Sequence, residues 1–185
     1  MDSHQLRFLM NNARNGFCHK DIKYHFWGLN SKLSFNRVIL FLSSGTYLGY
    51  IPIASGTFGT LWGLPLYYGL SGQGLEVQIF LICGVILAAV FLAGRSEKIW
   101  GRKDPSRVVV DEIAGYLTTM VGFSFSWKLS LIGFFLFRAM DILKPYPIRK
   151  IDQHMPGGWG IVLDDVLAGI YCQIILRLLV YFQMI

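Results

Sequence analysis

Five acidic side chains stand where apolar runs of this chain begin or end: the adjacent pair Asp111-Glu112, the single Asp141, and the adjacent pair Asp164-Asp165. A carboxylate at the edge of an apolar helix is costly unless a cation or a donor compensates it, so such residues mark candidate functional sites. One Asp there is explained by capping, because first-turn N–H groups and the helix dipole favour an anion. Two adjacent pairs on separate helices exceed that need, since the second acid of each pair then stands against its neighbour's charge. An all-oxygen set without His or Cys at ligand spacing suits a hard cation, and Mg2+ is the expected one, bound through few carboxylates plus water and a phosphate. Of four histidines only His154 is near, and a surface position accounts for it. Cys18, Cys83 and Cys172 are odd in number and lack C-x2-C spacing, which supports neither a zinc site nor a disulfide framework.

Asp111-Glu-Ile-Ala-Gly115 and Asp165-Val-Leu-Ala-Gly169 share the pattern D-x-x-A-G. On a helix the small pair shares a face with the acid, so two backbones can approach closely where the carboxylates converge; ordinary small-residue packing explains the pattern equally well. Cations accompany the acids. Arg138 lies within an apolar run three residues before Asp141, and needs either that ion pair or a phosphate; Lys144 follows before Pro145 and Pro147 end the helix. For Arg149 and Lys150, headgroup contact and anchoring at the membrane face are the simpler roles. The turn Gly56-Thr57-Phe58-Gly59-Thr60 opens a helix with glycines and two hydroxyls, a composition that suits phosphate at a helix N-terminus and equally suits a tight turn into a helix.

The elements that position these residues follow from composition. The 185 residues are 54% hydrophobic and 15% charged, whereas soluble domains are about a quarter charged. No Asp, Glu, Lys or Arg occurs from Val38 to Leu75 or from Val77 to Gly94. The reading is an all-α integral membrane protein, a compact bundle of about five transmembrane helices near 57–72, 77–94, 108–124, 129–143 and 161–183. Residues 38–53, uncharged and holding Gly45, Gly49 and Pro52, are expected to form a re-entrant or interfacial N-terminal element. Residues 1–37 form a basic tail whose Phe17, Tyr24, Phe26 and Trp27 suggest an interfacial anchor, and 38–185 a single membrane-embedded domain. No cleaved signal peptide is expected, because no apolar core comes early enough. Lys and Arg concentrate in the tail, in Arg95–Arg107 and in Lys144–Gly160, which places the N-terminus and all five acids on the cytoplasmic side. The net charge of +6 is scattered among apolar runs and does not read as a nucleic-acid surface.

In this order, GTFGT (Gly56–Thr60), VVVDEIAG (Val108–Gly115) and FRAMDILKPYPIRKIDQHMPGGWGIVLDDVLAG (Phe137–Gly169) resemble the phosphatidylglycerophosphatase A family over roughly Leu48 to Tyr171. Ser55 departs from it, standing where the family usually has Pro. The resemblance implies a multi-pass protein of the bacterial inner membrane, a Mg2+-dependent phosphatase acting on an anionic phospholipid, phosphatidylglycerol phosphate. It carries functional roles to Asp111, Glu112, Asp141, Asp164, Asp165, Arg138 and Lys144. Cysteine-phosphatase chemistry is excluded because no C-x5-R exists, and no DxDx[TV] is present. Metal-assisted attack by water or a carboxylate nucleophile remains. The expected assignment has metal ligands in Asp111, Glu112, Asp164 and Asp165, phosphate contacts from Arg138 and Lys144 with Thr57, Thr60 and Arg149 as further candidates, and Asp141 as base.

Two other classes compete. A cation-coupled transporter or channel would use the same carboxylates, but it predicts acids near the midplane on broken helices. A phosphodiester-forming transferase would carry D-G-x2-A-R, which is absent. No protein partner is indicated.

Overall fold

Gly, Pro and short polar clusters interrupt the apolar runs, and the helices of the computed structural model end at those interruptions. It describes residues 34–185; the expectations placed on the tail before residue 34, its interfacial anchor included, lie outside the described residues. Helix α1 is Ser34–Ser43, followed by a 3-10 turn at Leu48–Tyr50, then α2 (Ser55–Leu70), α3 (Leu75–Trp100), α4 (Val110–Met120), α5 (Trp127–Leu143), α6 (Ile148–His154) and α7 (Gly157–Tyr181). No strand occurs among the described residues, so the all-α expectation holds. Residues 39–185 form one compact unit.

Local chemistry sets the helix ends. Gly101, at φ +65°, closes α3 by donating its N–H to Glu97, a backbone conformation that glycine adopts without penalty. Ser126 caps α5, accepting from the Leu129 N–H. Lys144 ends α5 in the left-handed region and Pro145 prevents continuation.

Five of these helices match the five apolar segments, with three corrections. The stretch expected to cross at 108–124 contains only the eleven residues of α4. At 1.5 Å per residue they rise about 16 Å, roughly half a hydrocarbon core. Helix α7 begins at Gly157, before the expected 161, so Asp164 and Asp165 lie two turns inside it and not in its first turn. Gly158 explains the early start: a side chain there would overlap the Val90 carbonyl of α3, and its absence lets α7 pack directly on that helix. The Lys144–Gly160 connection, read as a loop, contains α6.

Helix α4 is the centre. Ten of its eleven residues are buried, and α2, α3, α5 and α7 pack around it. Tyr67, Tyr116, Phe134, Phe137 and Leu176 fill one side; Ala89, Ala93, Ala114, Val162 and Val166 fill the other. The large apolar residues that remain, among them Phe80, Leu87, Phe91, Phe135 and Ile174, face outward. Among the described residues only α3 is long and apolar enough to cross a membrane by length and composition.

Helix α7 crosses α4 through glycine. A methyl at Gly169 would overlap the Gly115 carbonyl, and one at Gly115 would meet Phe137 and the Asp165 carbonyl. The D-x-x-A-G echo thus marks a real backbone contact. The contacts of Gly56 with Glu112, Glu112 with Arg138, Lys144 with Asp164 and Gly94 with Gly158 gather the starts of α2, α4 and α7 with the ends of α3 and α5. At that end the Val109 N–H donates to the Ser43 carbonyl (2.9 Å) and Ser96 Oγ donates to Ser43 Oγ (2.8 Å). At the other, Gln78 accepts from the Gly122 N–H (2.8 Å) and Gln173 donates to the Val121 carbonyl (3.0 Å).

Candidate active site

Asp111 and Glu112 occupy the second and third positions of α4. Asp111 accepts the Glu112 backbone N–H (3.1 Å), which spends one of its oxygens on the helix start and leaves the other. Glu112 turns toward α2. Gly56 and Gly59 sit one turn apart on the facing side of that helix, and a Cβ at either would overlap the Glu112 carboxylate. The glycines of GTFGT therefore seat Glu112 against a bare helix backbone. The same substitution at Gly56 would also crowd the Arg138 guanidinium.

This corrects the role expected for Thr60. It is fully buried, and its hydroxyl donates to the Gly56 carbonyl (2.9 Å), so the proton that was to meet phosphate is committed to its own helix. Thr57 is partly exposed, and its hydroxyl makes no hydrogen bond among the described residues.

The end of α5 supplies the cations. Arg138 Nη1 donates to Asp141 Oδ2 (2.7 Å) and lies 3.6 Å from Glu112 Oε1. It thus spans two acids from different helices, where the sequence suggested Asp141 alone. Glu112 Oε2 and Arg138 Nε are buried and have no hydrogen-bond partner among the described residues. Lys144 reaches across to α7, its Nζ donating to Asp164 Oδ2 (2.6 Å). Asp165 is 4% exposed and makes no hydrogen bond or ion pair among the described residues. It lies within electrostatic range of Asp141, Asp111, Asp164 and Glu112, and Asp111 within that of Asp104 as well.

Five carboxylates therefore face two cations, and the surplus is negative. Oxygen donors without sulfur or nitrogen, an orphaned buried carboxylate oxygen and mutual repulsion fit a hard divalent cation. No three of the described acids, His or Cys converge as a finished ligand shell. Of the four expected ligands, Glu112 is turned to Arg138 and α2, and Asp164 to Lys144; Asp111 and Asp165 are the pair joined through the Gly115–Gly169 crossing. Arg149 is exposed on α6, and His154, exposed with Nδ1 2.9 Å from the Lys150 carbonyl, fits its surface role.

Sequence reasoning missed the Gly56/Gly59 seat and the Glu112–Arg138 contact. The signal was present as two glycines three apart on one helix face, a spacing that admits a neighbouring group.

Lys144 permits a separation of geometry from charge. Its φ of 42° costs an L-residue about 1–2 kcal/mol, which glycine avoids. Lys144→Gly is expected to be about 1 kcal/mol more stable than Lys144→Ala in a thermal melt, while both lose activity by about 100-fold. Activity retained in either variant removes Lys144 from the site.

Known proteins bear on this arrangement. The sequence profile described as Phosphatidylglycerophosphatase A matches residues 41–180. The chain is 37% identical over 156 residues to phosphatidylglycerophosphatase A of Haemophilus influenzae, covering 83% of this chain and 95% of that one. It is 31% identical over 153 residues to phosphatidylglycerophosphatase A of Escherichia coli, covering 82% and 86%. A Bacteroides thetaiotaomicron protein named, provisionally, as a phosphatidylinositol-3-phosphatase is 36% identical over 144 residues, covering 73% and 89%. No solved structure matches. The matched span reaches from the end of α1 to the last turn of α7 and takes in every acid and cation described above, so the chain belongs to the phosphatidylglycerophosphatase A family.

Proposed function

We propose that this protein is a Mg2+-dependent lipid phosphatase that hydrolyses the phosphomonoester of phosphatidylglycerol phosphate, giving phosphatidylglycerol and inorganic phosphate. The observation that carries the reading is the cluster of buried Asp111, Asp164 and Asp165 and half-buried Glu112 and Asp141 threaded by Arg138 and Lys144, within a chain that belongs to this family.

The setting supports a membrane enzyme. Phe80, Phe91, Phe135 and Ile174 point outward around the bundle, an arrangement that water penalises and lipid does not. Exposed aromatic residues collect at both ends, Tyr50, Tyr146 and Trp159 near the acids and Tyr68, Trp127 and Tyr181 opposite, as membrane interfaces favour. On this reading α2, α3, α5 and α7 cross the bacterial inner membrane, α4 is carried inside them, and the acid end faces the cytoplasm.

When bound, Mg2+ supplies charge neutralisation and polarisation of a phosphoryl oxygen; Asp111 and Asp165 would hold it, with Asp164 and Glu112 beside them. The chain's own groups do the rest. Arg138 and Lys144 donate charge-assisted hydrogen bonds to the non-reacting oxygens. Asp141, fixed by Arg138, takes a proton from the attacking water as the new phosphorus–oxygen bond forms, and the bond to the glycerol oxygen breaks with that oxygen taking up a proton, returned by Asp141 or by water, to leave as the alcohol. Glu112 holds the guanidinium from the other side.

Phosphate release from phosphatidylglycerol phosphate, phosphatidic acid and phosphatidylinositol 3-phosphate, measured in detergent with Mg2+ and with EDTA, tests the reading. The first lipid is expected to turn over at least about tenfold faster than the others, and EDTA to stop the reaction until Mg2+ is restored. No release from any lipid sinks the phosphatase, and cation flux in proteoliposomes then decides for a transporter. Preference for the inositol lipid reassigns the headgroup, and undiminished turnover in EDTA removes the metal.

A further inference from the structure

Arg107 lies outside the acid cluster, four residues before Asp111, on an arginine-rich loop. Its guanidinium carbon is 4.4 Å from the Trp100 ring centroid and 4.9 Å from that of Tyr50. The two centroids are themselves 6.4 Å apart with ring planes at 58°. A cation sandwiched between parallel rings at those distances would need centroids about 9 Å apart, so the rings instead form a V and the guanidinium is nested in its mouth. Arg107 packs against both rings, and it donates no hydrogen bond and makes no ion pair among the described residues. Arg177 also lies over a ring, Phe123, yet it donates to the Val121 carbonyl; no such use accounts for Arg107.

The notch is built. Gly49 lies directly on the Arg107 carbonyl, where a Cβ would overlap it, and Tyr47 packs edge-on to Tyr50 (5.6 Å). Two residues on, the Val109 N–H is held by Ser43. Four residues of chain keep the Arg107 backbone within about 14 Å of that of Asp111, so the notch lies at the same end of the bundle as the acids. A flat, always charged fork with its rotamer fixed by aromatic walls loses little entropy on meeting a phosphate.

We infer that Arg107, held by Tyr50 and Trp100, binds the phosphodiester of the lipid substrate, one glycerol unit from the phosphomonoester that the acid cluster handles. It rests on the lipid-phosphatase reading above. Arg107 is in this account a specificity-determining residue: it distinguishes a phosphatidyl headgroup from a phosphomonoester that lacks a diester.

The test compares phosphatidylglycerol phosphate with glycerol 3-phosphate, which has the monoester alone. In Arg107→Ala the ratio of kcat/KM for the lipid to kcat/KM for the soluble ester is expected to fall about tenfold, through the KM for the lipid and with its kcat kept within about twofold. The inhibition constant of phosphatidylglycerol, which has the diester alone, should rise in parallel. Arg107→Lys, charged but not flat, should recover only part of the loss, and Trp100→Leu should reproduce part of it. An equal change on both substrates, or a lowered melting temperature with an unchanged ratio, overturns the inference and makes the notch a structural clasp. If the wild type releases no phosphate at all, the function has failed separately, and phosphatidylglycerol adducts counted by native mass spectrometry still decide: fewer on Arg107→Ala supports the site, equal numbers overturn it.

Discussion

Replacing Asp165 by Asn is expected to lower the rate of phosphate release by at least about 100-fold while leaving the protein as stable as the wild type, or more so. The side chain is 4% exposed and no described residue donates to it, so Asn of the same shape strands no donor. What the substitution removes is one negative charge from a group of five. A structural carboxylate behaves oppositely, since its loss leaves unsatisfied partners at about 1–3 kcal/mol. Phosphate release and thermal melting, measured in one detergent, separate the cases. Activity and stability lost together make Asp165 structural. Asp111→Asn is the companion variant, because an amide oxygen still accepts the Glu112 N–H. Normal turnover by both at saturating Mg2+ overturns the site assignment.

The second large effect is expected at the helix crossing. Gly115→Ala and Gly169→Ala each place a methyl into backbone of the facing helix, and backbone does not rotate aside as a side chain does. Overpacking of this kind costs about 1–3 kcal/mol. The cost to catalysis is larger, because α4 and α7 must move apart and they carry Asp111 and Asp165; a displacement near 1 Å costs about 100-fold in rate. Gly84→Ala on α3, where a Cβ meets nothing within 4 Å, is the control, neutral or stabilising by up to about 1 kcal/mol. Equal behaviour of Gly84→Ala and Gly169→Ala in melting and turnover contradicts the crossing's role.

Helix positions were legible because Gly, Pro and charge break apolar runs at points visible in one dimension. The meeting of the acids was legible too, through D-x-x-A-G. What stayed hidden depends on which face a residue presents. Gly56 and Gly59 suit a phosphate turn and a seat for a carboxylate equally well until Glu112 is placed against them. Thr60 has the right hydroxyl, but an interior helix position bends it to the Gly56 carbonyl. The length of α4 was overestimated because Val108 and Val109 are as apolar as a helix interior, yet Val109 is non-helical (φ −139°, ψ 3°) and tied to Ser43. Arg138 was seen with Asp141 because both lie on one helix; its second acid comes from another and leaves no mark in spacing.

On the proposed membrane topology, the eleven residues of α4, with two acids among the first three, are too short and too charged to insert into a bilayer by themselves during synthesis. The translocation machinery has too little apolar length to retain at α4, so its burial waits for the helices that enclose it. The main partner, α7, follows α4, α5 and α6 in the chain. Two of the five acids, Asp164 and Asp165, are therefore unplaced until α7 has been made, and a chain that stops short of it lacks a complete cluster. Biogenesis and activation of this protein are in that sense one event.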